Sequence, residues 1–364
     1  MRTQNGPFPP LERAPGERPL ATAYDVALLD LDGVVYSGKE AVPRAVRALH
    51  LAREAGMRLA FVTNNASRSP SAIAAHLSGL GVPARAADVI TSAQAAARLV
   101  AARVPPGSAV LVAGAVGLRL ALRERGLRPV SVAAERPAAV VQGYAPDMSY
   151  GLLAEAAVAV RDGALYVATN SDSTLPTPRG PQPGNGSLLQ VIITATGTRP
   201  IVAGKPEPPL HAEAVARSGA ARPLVIGDRL ETDIEGAVRV GADSMLVLTG
   251  VTAPRDVVLA PVGRRPAYIA ADLGGLLEAQ PVIGPGKPGG AGADEPGGIV
   301  RRGGWQARRP PDGGPLELSG SGRWIDGLRA LCAAAWSHDQ ITAEMAEPAI
   351  ARLGGPGEEI SLES

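Results

Sequence analysis

Asp25-Val26-Ala27-Leu28-Leu29-Asp30-Leu31-Asp32-Gly33-Val34-Val35-Tyr36 is the stretch whose reading decides the fold. A short apolar run ends in two carboxylates one residue apart, followed by a glycine. The run reads as a buried parallel strand, with Asp30 and Asp32 at its carboxyl end. In open α/β sheets that edge is where ligands bind. Two acids so close repel each other, which is costly unless a cation or a reaction needs them. One can serve as nucleophile or metal ligand while the other points back to the same site as acid/base. Taken alone, Asp-x-Asp-Gly is also a turn pattern.

Three further segments narrow the choice. Arg58-Leu59-Ala60-Phe61-Val62-Thr63-Asn64-Asn65 is a second apolar strand, ending in a hydroxyl and two amides. Pro200-Ile201-Val202-Ala203-Gly204-Lys205-Pro206-Glu207-Pro208 presents a lysine between prolines. Leu224-Val225-Ile226-Gly227-Asp228-Arg229-Leu230-Glu231-Thr232-Asp233-Ile234 is a strand running into one aspartate and then a second, five residues on. In this order the four segments resemble the signature motifs of the haloacid dehalogenase superfamily. They are most similar to its large α/β-capped branch of phosphoglycolate, glycerol-3-phosphate and nitrophenylphosphate phosphatases. The resemblance spans roughly residues 24–279 and leaves both ends of the chain outside it.

It implies Mg²⁺-dependent hydrolysis of a small phosphate monoester through an aspartyl-phosphate. Asp30 is then the nucleophile, and Asp32 protonates the leaving oxygen and activates water. Asp30, Asp228 and the backbone carbonyl of Asp32 are the implied metal ligands, with Asp233 orienting ligand waters. The Thr63 hydroxyl, the backbone around Asn64 and the Lys205 ammonium bind the phosphoryl group. Plainer readings stay open: Thr63 as a helix cap, Lys205 as a loop cation, and Asp228 and Asp233 as acids at a helix N-terminus. The implied substrate is glycerol 3-phosphate, then 2-phosphoglycolate, then a nucleotide. A binding protein that kept the scaffold without turnover is the alternative of another class. Asn170, Asp172, Asn185 and Ser187, in loops resembling those of the family's caps, suit the hydroxyls of a small polyol. Ala145 stands where many relatives have aspartate.

Composition agrees with a small-molecule enzyme. A net charge of +1 gives no field to recruit nucleic acid or an anionic membrane, and 3% aromatic residues offer little stacking surface. No stretch approaches the roughly 18 apolar residues of a membrane span, and the first twenty residues lack the apolar core of a secretory signal. The single cysteine, Cys332, suits a reducing compartment and reads as a buried small hydrophobe. The expected location is cytoplasmic, with homo-oligomerisation left open.

The expected architecture is α/β: a Rossmann-like parallel-sheet core at 24–105 and 194–280, and an α/β cap inserted at 106–193. A flexible leader at 1–23, a Gly/Pro-rich linker at 281–303 and a small C-terminal extension at 304–364 complete it. Apolar periodicity places helices at 42–55, 71–80 and 92–103. Strands are expected at 109–112, 138–142 and 164–168, then at 224–226 and 244–248. In the extension, Ile325, Leu328, Leu331, Cys332, Ala335 and Trp336 share a helical face that packs on the main body or on a second subunit. Gly114-Ala115-Val116-Gly117 lacks full dinucleotide-fingerprint spacing and reads as a tight βα turn. The Arg301-Arg302 and Arg308-Arg309 pairs read as solvated loop.

Overall fold

A computed structural model describes residues 18–175, 177, 179–283, 298–310, 313–337 and 341–354. They divide into two compact units, residues 1–59 with 220–364 and residues 60–219.

The first unit is built on four parallel strands in the spatial order Tyr268–Ala270, Asp243–Val247, Pro223–Gly227, Val26–Leu29. Val26–Leu29 and Pro223–Gly227 are buried at every position, which explains their unbroken apolar sequence. Register is set at the mouth of the first strand. The Asp25 carboxylate accepts from the Ala221 and Arg222 N–H groups at 2.9 and 2.8 Å, so Val26 faces Pro223 and Leu29 faces Ile226. Asp30 continues the ladder, donating its N–H to Ile226 O at 2.8 Å. Helices Ala45–Glu54, Glu235–Val240 and Pro254–Val258 connect the strands.

The second unit begins within the strand Arg58–Thr63, whose later residues pair in parallel with Val89–Thr91. Ser69 caps helix Pro70–Gly79, and Thr91 with Gln94 forms a reciprocal capping box on Ser92–Ala101. A five-stranded parallel sheet follows, in the order Ile201–Val202, Leu165–Ala168, Ala139–Gln142, Ala109–Ala113, Arg128–Val130. Its second strand in sequence lies outside its first, a flavodoxin-like winding that opens a switch point between Ala109–Ala113 and Ala139–Gln142. Helices and strands fall within a few residues of the sequence expectation.

Two ends of the chain depart from it. Residues 18–23, expected to belong to the leader, include the short helix Leu20–Ala23, because Leu20 is fully buried and donates its N–H to Glu278 O. The expected linker is structured where it is described: Val282 and Ile283 are buried, and Ile299–Arg302 is a strand. The rest of it, 284–297, and residues 1–17 lie outside the described residues.

The C-terminal block holds the antiparallel strands Ile299–Arg302, Trp305–Arg308 and Glu317–Gly320, then helices Trp324–Ala335 and Ala343–Leu353. The expected one-sided helix is instead buried at every position except Asp326. One side meets the small sheet and the other meets Leu246, Val257, Val258 and Ile269 of the main sheet layer, in one hydrophobic cluster. Cys332 is fully buried in it, and burial pushes its thiol far above the ordinary range. Arg302, read as loop, is instead in a strand and half-buried.

Leu328 is fully buried at this junction. Leu328→Ala should lower the unfolding free energy by about 2–5 kcal/mol through lost burial and a residual cavity. Leu51→Ala, on an exposed position of helix Ala45–Glu54, should change it by less than about 0.5 kcal/mol. Urea unfolding of both variants measures the contrast; equal effects would mean that the block does not share the first unit's core.

Candidate active site

In the first unit, Asp30 and Asp228 follow directly on adjacent parallel strands, so the register that pairs Leu29 with Ile226 brings both to one edge. Asp233 joins them because Leu230–Ile234 is a single π-helical turn, a wide turn often found at functional sites. Carboxylate oxygens of Asp30, Asp228 and Asp233 all lie within 4.8 Å of one another. Asp228 and Asp233 are each 1% exposed, while Asp30 is half-buried. Asp32 is exposed and its carboxylate lies outside this group. Its implied role at the metal uses the backbone carbonyl, so this placement does not weigh against it.

Glycines make room for the acids. A β-carbon at Gly250 would sit 2.0 Å from Asp228 Oδ2, one at Gly227 2.2 Å from Asp233, and one at Gly33 2.6 Å from Asp228 Oδ2. Gly33 also adopts a φ of +80°, which side-chain-bearing residues rarely take. Asp228 Oδ2 accepts from Val251 N–H at 2.8 Å, and the Thr252 hydroxyl donates to the Asp228 carbonyl at 2.5 Å. The Thr249 hydroxyl donates to Gly33 O at 2.5 Å. The segment 249–252 therefore ties both acid-bearing loops together. Sequence reasoning missed it; its signal is a Thr-Gly-Val-Thr turn directly behind a strand.

Asp228 Oδ1 is buried with no hydrogen-bond partner among the described residues. Burial, then Asp233, then Asp30 push the Asp228 carboxyl up to about 7. An all-oxygen donor set with an unsatisfied buried carboxylate oxygen fits a hard divalent cation. Asp30, Asp228 and Asp233 are the side chains gathered there that could hold it directly or through its waters.

The second unit gathers Thr63, Asn64 and Lys205. Lys205 is 3% exposed and its ammonium donates to Val62 O at 3.3 Å. The Thr63 hydroxyl, also buried, accepts from Asn65 N–H at 3.1 Å. Asn64 contributes more than its backbone. Its side-chain oxygen accepts from Lys205 N–H at 2.8 Å and its amide nitrogen donates to Lys205 O at 3.2 Å, gripping that peptide from both sides. His211, fully buried nearby on helix Pro208–Ser218, is pushed down to about 3 by burial and by Lys205, so it is neutral.

The polar cap-loop residues divide. Asn185 donates to Asn170 O at 2.7 Å, Ser187 to Ser173 O at 2.7 Å, and Asn170 to Asn64 O at 2.8 Å. Each of these three side chains holds backbone through a donor, and the Asn185 amide oxygen is buried with no hydrogen-bond partner among the described residues. The Gly114–Gly117 turn has an occupant in its own chain. Gly117 N–H donates to Ser67 O, and a β-carbon there would sit 2.6 Å from Arg68 O and 2.7 Å from Ala66 O. Its glycine admits the 66–68 loop, which leaves no place for a pyrophosphate.

A parallel α/β sheet with a buried carboxylate group at its carboxyl edge is the frame of the haloacid dehalogenase-like hydrolases, and the chain belongs to that family. The family model for haloacid dehalogenase-like hydrolases matches residues 27–128, and a second, for HAD-hydrolase-like proteins, matches 202–276. More particularly, the chain is 45% identical over 317 residues to the D-glycerol 3-phosphate phosphatase of Mycobacterium tuberculosis, covering 87% of each protein. It is 37% identical to a 5'-nucleotidase of Bacillus subtilis, over 63% of this chain and 89% of that protein. The crystal structure of the M. tuberculosis glycerol phosphate phosphatase in complex with magnesium superposes with a TM-score of 0.81 at 42% identity, covering 92% of this chain and 99% of that one. A model of GCN5-related N-acetyltransferase-like domains matches residues 302–354. That match falls within the C-terminal block, where sequence reasoning saw only a short helix.

The raised Asp228 carboxyl has a pH consequence. In the cation-free protein the folded state holds a proton that the unfolded chain, with a carboxyl near ~4, has already released. Folding stability should therefore fall as pH rises from about 4 to about 7 and then level off. Chelated protein should melt lower at pH 8 than at pH 5, Asp228→Asn should remove much of that difference, and a divalent cation should restore the wild type mainly at pH 8. Identical pH dependence in wild type and variant would contradict the assignment.

Proposed function

We propose that the protein hydrolyses glycerol 3-phosphate to glycerol and phosphate in the presence of Mg²⁺. The observation that carries the reading is the Asp30–Asp228–Asp233 group with its unsatisfied buried oxygen. The substrate assignment is supported by the name of the M. tuberculosis relative and by the extent of the match, 87% of this chain and of that protein. A core at 24–105 and 194–280 with a cap at 106–193, a cytoplasmic location, and a small phosphorylated metabolite as partner, with homo-oligomerisation left open, belong to the same proposal. No helix among the described residues is long and apolar enough to cross a membrane.

Asp30 and Asp228, with the Asp32 carbonyl, would hold Mg²⁺, and Asp233 would orient its waters. When bound, the ion neutralises the phosphoryl oxygens and so lowers the barrier to attack by an anion. A carboxylate oxygen of Asp30 attacks phosphorus, a P–O bond to Asp30 forms, and the ester P–O bond breaks. Asp32 gives its proton to the departing alkoxide, releasing glycerol. Water then attacks the aspartyl-phosphate, its proton returns to Asp32, and inorganic phosphate leaves with Asp30 regenerated. Thr63 donates its hydroxyl to a phosphoryl oxygen. Lys205 supplies positive charge to the phosphoryl group, from a position fixed by the Asn64 grip on its backbone.

Phosphate release from glycerol 3-phosphate, 2-phosphoglycolate, a 5'-nucleotide and p-nitrophenyl phosphate tests the reading. Turnover should require Mg²⁺, stop on chelation, and be highest in kcat/KM for glycerol 3-phosphate. Asp30→Asn should lose activity by more than about 10³-fold, since the attacking charge is gone, while circular dichroism stays unchanged. Residual activity above a few per cent would remove Asp30 as nucleophile. A folded, Mg²⁺-supplied wild type inert on all four esters would favour a binding protein.

A further inference from the structure

Strands Arg58–Thr63 and Val89–Thr91 run parallel with Thr63 facing Thr91, so the residues that follow them, Asn64 and Ser92, leave the sheet side by side. Helix Ser92–Ala101 starts at that point. Gln94 N–H donates to Thr91 Oγ1 at 3.3 Å, and Thr91 N–H donates to Gln94 Oε1 at 3.0 Å. This reciprocal cap fixes the first turn of the helix and with it Ser92, which is fully buried. The Ser92 hydroxyl donates to Asn64 O at 2.6 Å, and the Asn170 amide donates to the same oxygen at 2.8 Å.

A carbonyl oxygen has two lone pairs, and here each receives a donor. The Asn64–Asn65 peptide is planar and trans, so its N–H points the opposite way from its C=O. That N–H, belonging to Asn65, donates to Thr63 Oγ1 at 3.1 Å. Donors on the carbonyl polarise the peptide and strengthen the bond that its N–H makes. A hydroxyl that accepts a hydrogen bond on one side directs its own proton away from that donor. The bonds thus run from Ser92 through one peptide to Thr63, whose hydroxyl is the group that meets the phosphoryl oxygen in the phosphatase reading.

We propose that Ser92 is a positioning residue for the reaction: by holding the Asn64 carbonyl it sets the plane of the Asn64–Asn65 peptide, and through that peptide it aims the Thr63 O–H at the phosphoryl oxygen. The proposal rests on the phosphatase reading above and adds to it a residue that is fully buried and acts only through another. Without the Ser92 hydroxyl, Asn170 still donates to the Asn64 carbonyl, so the peptide is loosened rather than released. The effect on turnover is therefore a misdirected hydroxyl, smaller than the loss of the hydroxyl itself.

A double-mutant cycle of Ser92→Ala and Thr63→Val, assayed with Mg²⁺ on glycerol 3-phosphate and p-nitrophenyl phosphate, tests it. With Thr63 present, Ser92→Ala should lower kcat/KM by about tenfold. The loss should be equal on the two esters, which share the phosphoryl group and differ in the leaving group. With Thr63→Val, no hydroxyl remains to be aimed, and the same change should cost less than about threefold. Ser92→Cys keeps the shape with a weaker donor and should fall between wild type and Ser92→Ala. If circular dichroism shows that the alanine variant does not fold, the same cycle with Ser92→Cys carries the test. Equal losses with and without the Thr63 hydroxyl would show a merely structural role and overturn the proposal, as would wild-type kcat/KM in Ser92→Ala. Failure of the phosphatase reading itself has a different signature, the absence of Mg²⁺-dependent turnover of p-nitrophenyl phosphate by the wild type.

Discussion

Like-charge crowding at one sheet edge is the constraint on which the first unit depends. Three carboxylates with oxygens inside 4.8 Å of each other are tolerable only if the backbone around them is fixed and small. The parallel register set by Asp25 places Asp30 beside Asp228, and the π-helical turn returns Asp233 to the same point. Gly33, Gly227 and Gly250 then let backbone close over the acids where a single methyl group would collide. The threonines of the 249–252 segment tie this arrangement to the neighbouring strand. Each of these features makes sense as preparation for a cation. Without one, burial first and then the Asp233 and Asp30 charges push the Asp228 carboxyl up.

The C-terminal block shows how an appended domain becomes part of a core. All three tryptophans of the chain lie in it. Trp305, Trp324 and Trp336 bury their rings and donate their indole N–H groups to the carbonyls of Arg323, Gly354 and Val258. Such side chains supply large apolar area without leaving a polar atom unmatched. Arg329, almost fully buried, is accommodated similarly, with Ile269 O, Asp326 and Glu278 around its guanidinium. The Val258 and Ile269 carbonyls belong to the main sheet layer, so the block is joined by polar bonds as well as by burial.

The acids and the strands that carry them were legible in the sequence because their signal is local. An apolar run followed by Asp-x-Asp-Gly or Gly-Asp specifies both the strand and what stands at its end. The helix Trp324–Ala335 was legible only in part. Its periodicity revealed one apolar face, but alanines and a glycine on the other face carry no such signal, and only the small sheet packed there shows them to be buried. Leu20 likewise gives no local hint of its burial, which comes from a partner more than 250 residues away, Glu278. The backbone partners of the cap-loop polar groups are hidden for the same reason: Asn170, Asn185 and Ser187 give no sign in one dimension of the carbonyls to which they donate.

Asn64 is where these long-range matters converge. An amide can accept and donate at once, so it alone among side chains of its size can grip both the N–H and the C=O of the Lys205 backbone and still face a carboxylate. An aspartate there would lose the donor and repel Asp172; a leucine would leave the Lys205 N–H and C=O without those bonds. The choice of amide therefore links two contacts, holding the Lys205 backbone and meeting the acid of the 170–174 segment. A change in either residue of the Asn64–Asp172 pair reaches the other through one nitrogen atom. Asn64 also fixes Lys205 whatever occupies position 172, since its two bonds to the lysine backbone do not involve Asp172.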